Sequence, residues 1–239
     1  VNTLSKTVDR AGGGTERMHF TITGVDSNKK PLTIDRENMF YSNDALLKNV
    51  SGELSEALTI LMQNKFEHVD IYGINVDAQI SEDVQVAEIQ SLRTKNKPVK
   101  PGEKVAIEVT LKPYRGEEFT KTVYFKVPKD HPGGQLALNV RGGSSMAWVM
   151  NLLRKQKDEG VPAQKKDTRR TLSDFVKSVN DADRNNEIIV DVAATHFNPD
   201  EVQNDAGLAG MLQGSPFKQK TLCDFIVDGE AELSLKVEK

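Results

Sequence analysis

The sequence predicts an α+β, β-rich chain: an immunoglobulin-like antiparallel β-sandwich with a packed mixed α/β portion. Three observations carry this expectation. From Val69 to Arg141 apolar residues recur with a period of two through about five strand-like stretches, separated by turn residues. On either side of that region they recur every three or four positions, as on one face of a helix. Strand-like alternation then returns near the end of the chain. The expected division is a sandwich over residues 67–143, with residues 1–66 plus 144–239 forming the mixed α/β portion as one discontinuous domain.

The elements follow in order. Gly12, Gly13 and Gly14 read as a flexible lead-in. Met18, Phe20 and Ile22 then alternate with His19, Thr21 and Thr23, the pattern of a half-buried strand. Leu46, Leu47, Val50, Leu54, Ala57, Leu58, Leu61 and Met62 follow helical spacing, with Gly52 as an expected interruption. "VDIYGINVDAQI" and "VQVAEIQSL" are strand-like, joined by the polar turn Ser81-Glu82-Asp83. After the Pro101-Gly102 turn come Val105, Ile107, Val109 and Leu111. Phe119, Val123, Phe125 and Val127 follow, and then Leu136, Leu138 and Val140 after "DHPGG".

Met146, Val149, Met150 and Leu153 share one helical face, and a polar link through Gly160 and Pro162 follows them. Thr171 and Asp174 resemble a capping box ahead of Leu172, Phe175, Val176 and Val179. "EIIVDVAATHF" reads as a strand and "DAGLAGML" as a short helix. "TLCDFIVDGEAELSLKV" reads as a hairpin turning at Asp228-Gly229.

Composition removes several function classes. The chain has 239 residues and a net charge of −3, spread rather than blocked. Its basic residues cluster only at Lys165, Lys166, Arg169 and Arg170, in a stretch that reads as a linker, so nucleic acid is not an expected partner. One tryptophan and 6% aromatics disfavour a base- or sugar-stacking surface, and Trp148 is expected to pack in a core. Cys223 stands alone, so no internal disulfide forms, and a buried inert thiol is expected. No apolar run reaches the roughly 18 residues of a membrane span, and no signal peptide opens the chain. A first residue of valine predicts a processed or excised piece of a longer protein.

Each candidate for chemistry has a simpler structural reading. "LNVRGGSSMAWVMNLL" has the order of a phosphate cradle: strand, glycine turn, helix start. It lacks the lysine and the glycine spacing of phosphate-binding loops, so Ser144 or Ser145 is read as a helix cap. Ser215, in "QGSPF", and the serines of "GGSS" would need a histidine and an acid to act as nucleophiles. His19, His68, His131 and His196 fall in no triad motif, and Pro216 removes an N–H where an oxyanion hole often draws its donors. Asp181, Asp183 and Asn185 alternate faintly like a calcium loop, but Asn186 stands where glycine is expected and Val192 where glutamate is. The histidines lack zinc spacing. Glu53-Glu56 and Glu117-Glu118 read as solvated faces or helix charges. No catalytic or metal residue and no cofactor is assigned, and the binding residues stay open.

Four phrases carry a resemblance: "LSKTVDRAGGGTERMHFTITG", "DRENMFYS", "LKPYRGEEFTKTVYFKVPKDHPGGQLALNVRGG" and "LQGSPFKQKTLCDFIVDGEAELSLKV". Together they resemble bacterial SpoIVB-like peptidase-domain proteins, in the region that follows the serine-peptidase domain of the longer members. The resemblance implies an exported protein acting outside the cytoplasm. The strand-rich middle and the absence of a coherent catalytic set then predict a non-catalytic accessory region that positions the peptidase domain or binds a protein or envelope partner. The family's catalytic serine lies in a G-x-S-G-S-P-type motif. Gly214-Ser215-Pro216 matches its end but lacks the preceding serine-glycine pair, so the catalytic role is not carried to Ser215. The competing expectations are a serine hydrolase within this chain and a carbohydrate- or ligand-binding module.

Overall fold

The computed structural model describes residues 13–43, 46–64, 66–95, 98–144, 171–192 and 217–238. The chain divides into two units, each drawn from two separate stretches. One comprises Val1–Gln85 with Val149–Asn185, the other Val86–Trp148 with Asn186–Lys239.

The first unit is a three-stranded antiparallel sheet backed by two helices. β1 (Gly14–Val25) lies between β2 (Pro31–Ser42) and β3 (Asp70–Ser81). The register sets Phe20 beside Arg36 and Val76, and Ile22 beside Ile34 and Ile74. Because side chains alternate along a strand, Met18, Phe20 and Ile22 share one face and are fully buried. α1 (Leu46–Met62) and α2 (Leu172–Asn180) supply Ala57, Leu61, Leu172 and Phe175 to the same core. α1 runs unbroken through Gly52, contrary to expectation. A Cβ there would stand in open space, so the glycine costs only helix propensity, about 1 kcal/mol. α2 starts as expected: the Thr171 hydroxyl accepts the Asp174 N–H at 3.1 Å.

β2 is an element that periodicity does not reveal. Its buried positions are Leu32, Ile34, Arg36, Asn38 and Met39, so two of them are polar and the apolar alternation stops midway.

The second unit is a β-sandwich. One sheet has the order β10 (Ile226–Asp228), β4 (Val86–Thr94), β5 (Lys104–Pro113) and β6 (Phe119–Lys126). The other has β11 (Glu230–Val237), β7 (Gly134–Gly142), β8 (Glu187–Val192) and β9 (Gln219–Leu222). Neighbours are antiparallel except β10, which runs parallel to β4. The residues that alternate in β5, β6 and β7 meet in one core with Ile188, Val190, Val227 and Leu235.

The boundaries therefore differ from those expected. β3 joins the first unit's sheet, whereas β8 to β11 complete the sandwich. Alternation shows that a strand has a buried face, but not which sheet it joins. The strand order comprises two meanders, β4-β5-β6 and β7-β8-β9, each extended by a late strand; immunoglobulin domains set ABED against CFG. The expected hairpin at Asp228-Gly229 is instead a crossover. Gly229, at φ +83°, carries the chain from β10 in one sheet to β11 in the other. Gly142 meets that crossover: its N–H donates to the Gly229 carbonyl at 3.0 Å, and a Cβ there would collide with the Val227 carbonyl. The first glycine of "GGSS" thus serves a close approach of two backbones.

The helix expected around Met146–Leu153, the basic cluster Lys165–Arg170 and the short helix in "DAGLAGML" lie outside the described residues. Among the described residues no helix is long and apolar enough to cross a membrane.

Candidate functional site

The serine hypotheses find no catalytic geometry among the described residues. Ser144 donates its hydroxyl proton to the Val227 carbonyl. His19 Nε2 pairs with Asp35 at 2.6 Å and His68 Nε2 with Asp70 at 2.9 Å, while His131 Nδ1 accepts the Gly133 N–H at 3.2 Å. None of these three histidines meets a serine. Ser145, Ser215, His196 and Trp148 lie outside the described residues. Cys223 is buried, as expected, with its N–H on the Asn186 carbonyl. No group of three or more metal-ligating side chains occurs among the described residues.

The calcium-like stretch has another use. Arg36, only 2% exposed, donates to Glu53 of α1 at 2.8 Å and to the carbonyls of Ala182 and Asp183 at 2.7 Å each. Asn38 Oδ1 accepts the Asn185 N–H at 2.7 Å, and Asn185 Nδ2 donates to the Met39 carbonyl at 2.8 Å. The turn after α2 is therefore spent on holding β2. Glu53, read from sequence as a solvated or helix charge, is the acceptor that makes a buried arginine tolerable.

A second buried charge has no such compensation. Glu16 occupies the row Phe40–Glu16–Ile80 on the helix-covered face and is fully buried. Among the described residues neither carboxylate oxygen has a hydrogen-bond partner. Burial pushes its pKa up to about 7, because removing water disfavours the ionised form.

The opposite face of this sheet is polar. Arg17, His19, Asp35, Glu37, Asp77, Gln79 and Arg184 line a shallow depression there. Glu37 lies 3.5 Å from both Arg17 and Arg184. Asp77, beside His19 in the register, has no side-chain partner among the described residues. The His19–Asp35 pair is at least half exposed, so water solvates it as it would any surface pair. The face has the groups to recognise a ligand, but no activated nucleophile.

The strand edges distinguish one place from the rest. An unpaired edge presents a row of backbone N–H and C=O groups, which proteins blunt with short strands, lysines or covering segments. In the sandwich, β10 and β9 are only 3 and 4 residues long. β6 carries Lys121 and Lys126. With the Gln219 side-chain amide turned to match its neighbours, its nitrogen donates to the Tyr124 carbonyl at 2.7 Å and its oxygen accepts the Lys126 N–H at 2.8 Å. β11 is partly covered by Val99, whose N–H donates to the Lys236 carbonyl at 2.9 Å and whose carbonyl accepts the Glu238 N–H at 2.9 Å.

In the helix-backed sheet, β2 is sealed by side chains. Asn180 Oδ1 accepts the Asp35 N–H at 2.9 Å, Asn180 Nδ2 donates to the Thr33 carbonyl at 3.1 Å, and Asn185 takes the Met39 carbonyl. β3 has none of these devices. It runs for 12 residues, "DIYGINVDAQIS", without lysine, arginine or proline, and among the described residues it pairs only with β1. Backbone groups alternate sides along a strand. Odd-numbered residues of β2 face outward to Asn180 and Asn185, so its even-numbered residues face β1. By the same alternation, odd-numbered residues of β3 face β1, while Ile74, Val76, Ala78 and Ile80 present N–H and C=O to the open edge. Tyr72 and Ile74 are 71% and 46% exposed, leaving apolar surface along it.

Sequence periodicity shows β3 as a strand but not as an edge. The available signal was the absence of positive charge: Phe66 to Gln85 holds Glu67, Asp70, Asp77, Glu82 and Asp83, with no lysine or arginine. Compared with protein-family models, curated proteins and solved structures, the chain matches none. The SpoIVB-like resemblance rests on the four phrases quoted above.

Proposed function

We propose that this chain is a non-catalytic interaction region of an exported SpoIVB-like peptidase protein. It positions the peptidase domain or engages a protein partner outside the cytoplasm. The sandwich, used as a rigid interaction module in the manner of immunoglobulin-like domains, accompanies a sheet that offers the docking strand. The observation that carries this reading is the long, unblunted edge of β3, beside described edges that are short, charged or covered. An extended segment added to β3 gains main-chain hydrogen bonds along the edge, with side-chain contacts alternating between the two faces.

The test places a photo-crosslinkable side chain at Ile74 of the full-length protein in its own cells. The expected adduct joins position 74 to the peptidase region or to another polypeptide. Val76→Pro removes that adduct, because the Val76 N–H faces the open edge and a ring there blocks strand addition without costing a bond to β1. No adduct, or one indifferent to Val76→Pro, overturns the reading. So does fluorophosphonate labelling of Ser144, Ser145 or Ser215 in the purified chain.

A further inference from the structure

We infer that the β3 edge selects an extended segment of another polypeptide that is apolar on its helix-side face and carries a lysine or arginine opposite Asp77. The inference rests on the strand-addition reading and adds the chemistry of the occupant.

The two faces of β3 set different requirements. On the helix-covered side Ile74, Val76, Ala78 and Ile80 form one row, with Ile74 and Ala78 left exposed at the margin. A segment placed beside them must bring apolar side chains at alternate positions to cover that margin. On the polar side the row is Asn75, Asp77 and Gln79. Asp77 is its one charge and has no side-chain partner among the described residues. The neighbouring charges are engaged: His19 with Asp35, and Arg17 and Arg184 with Glu37. At the far end of β3, Asp70 is held by Lys29 at 3.0 Å and His68 at 2.9 Å.

In an antiparallel addition the even-numbered residues of β3 make the hydrogen-bonded pairs. Asp77 then falls in a non-hydrogen-bonded pair, where opposing side chains stand closest. A basic residue directly opposite completes that pair, and an acidic one repels it. The same charge argues against a second copy of this chain as occupant. β3 brings no lysine or arginine of its own, and an antiparallel self-pairing sets acids against acids or leaves Asp77 facing a neutral residue.

Two labelled synthetic peptides test this in fluorescence anisotropy titrations with the purified chain. Both alternate valine with threonine; one has a central lysine and its twin a central glutamate. The lysine peptide is expected to bind up to about fivefold more tightly, the size of one favourable cross-strand pair. Asp77→Lys reverses the order, and Val76→Pro abolishes binding of both peptides. Should Val76→Pro fail to fold, Ile74→Lys places a blunting charge at an exposed position and is expected to weaken both. Equal binding of the twins by the unaltered chain overturns this inference while leaving strand addition standing. Binding of neither overturns both readings. A dimer in sedimentation that Val76→Pro dissolves makes the occupant a second copy and overturns the inference.

Discussion

The two units treat their strand edges differently. In the sandwich every edge strand is short, carries lysine, or is capped from within the same unit, as Gln219 caps β6 and Val99 covers part of β11. The helix-backed sheet seals one edge with comparable care and, among the described residues, leaves the other bare. Asn180 and Asn185 satisfy β2, whereas β3 presents its backbone along 12 residues. An exposed edge is a hazard that proteins generally suppress. Among the described residues it is suppressed around β6, β9, β10, β11 and β2 but not at β3, and the proposed docking strand rests on that difference.

The largest expected effect comes from opening the sealed edge. Arg36→Ala leaves Glu53 and the carbonyls of Ala182 and Asp183 without their buried donor and frees the turn that holds β2. A loss of about 3–5 kcal/mol in urea unfolding is expected, the range for breaking a buried ion pair. Hydrogen exchange should rise at Asp35 while the sandwich core keeps its protection. Equal loss of protection in both units would show that the seal is not local to β2.

A smaller effect is a pH dependence of the helix-backed unit. Glu16 has a folded pKa of about 7 against an ordinary value of 4.5. The folded state therefore holds the proton more tightly than the unfolded chain does. Stability is fully present below pH 4.5, declines as pH rises towards 7, and levels off above it. The loss is at most about 3 kcal/mol from that difference. Glu16→Gln is expected to flatten the slope and raise the melting temperature of the helix-backed unit at pH 8 with little change at pH 4.5. Asp70, whose carboxyl is held below its ordinary value by hydrogen bonds from Lys29 and His68, is half-exposed and belongs to the same unit.

The smallest effect tests the caps one at a time. Asn180→Ala and Gln219→Ala each remove two hydrogen bonds from an edge and are expected to cost about 1–2 kcal/mol. Their sharper readout is self-association in sedimentation velocity. If uncapped β2 or β6 edges stay monomeric at high concentration, side-chain caps are not what keeps them from pairing.

Sequence reasoning reached the strands whose inward row is apolar throughout, such as Val105, Ile107, Val109 and Leu111, and the helix start at Thr171. It missed β2 because Arg36 and Asn38 occupy inward positions, and their partners, Glu53 and residues 182–185, are distant in sequence. It placed β3 in the sandwich and β8 to β11 outside it, since the pattern within a strand carries no address for its neighbour. The candidate site was less legible still. An edge is defined by what fails to pair, and only the missing positive charge between Phe66 and Gln85 hinted at it.

The crossover at Gly229 has a consequence for how the molecule is made. β10 joins β4, and β11 joins β7, so each sheet of the sandwich receives its last strand only after β4 to β9 have all been synthesised. Such non-local pairing is slow to form, because the cost of closing a long loop comes before any contact rewards it. Until Ile226 to Val237 arrive, β4 and β7 are themselves bare edges on the nascent chain, each exposing backbone groups that the completed sheets pair.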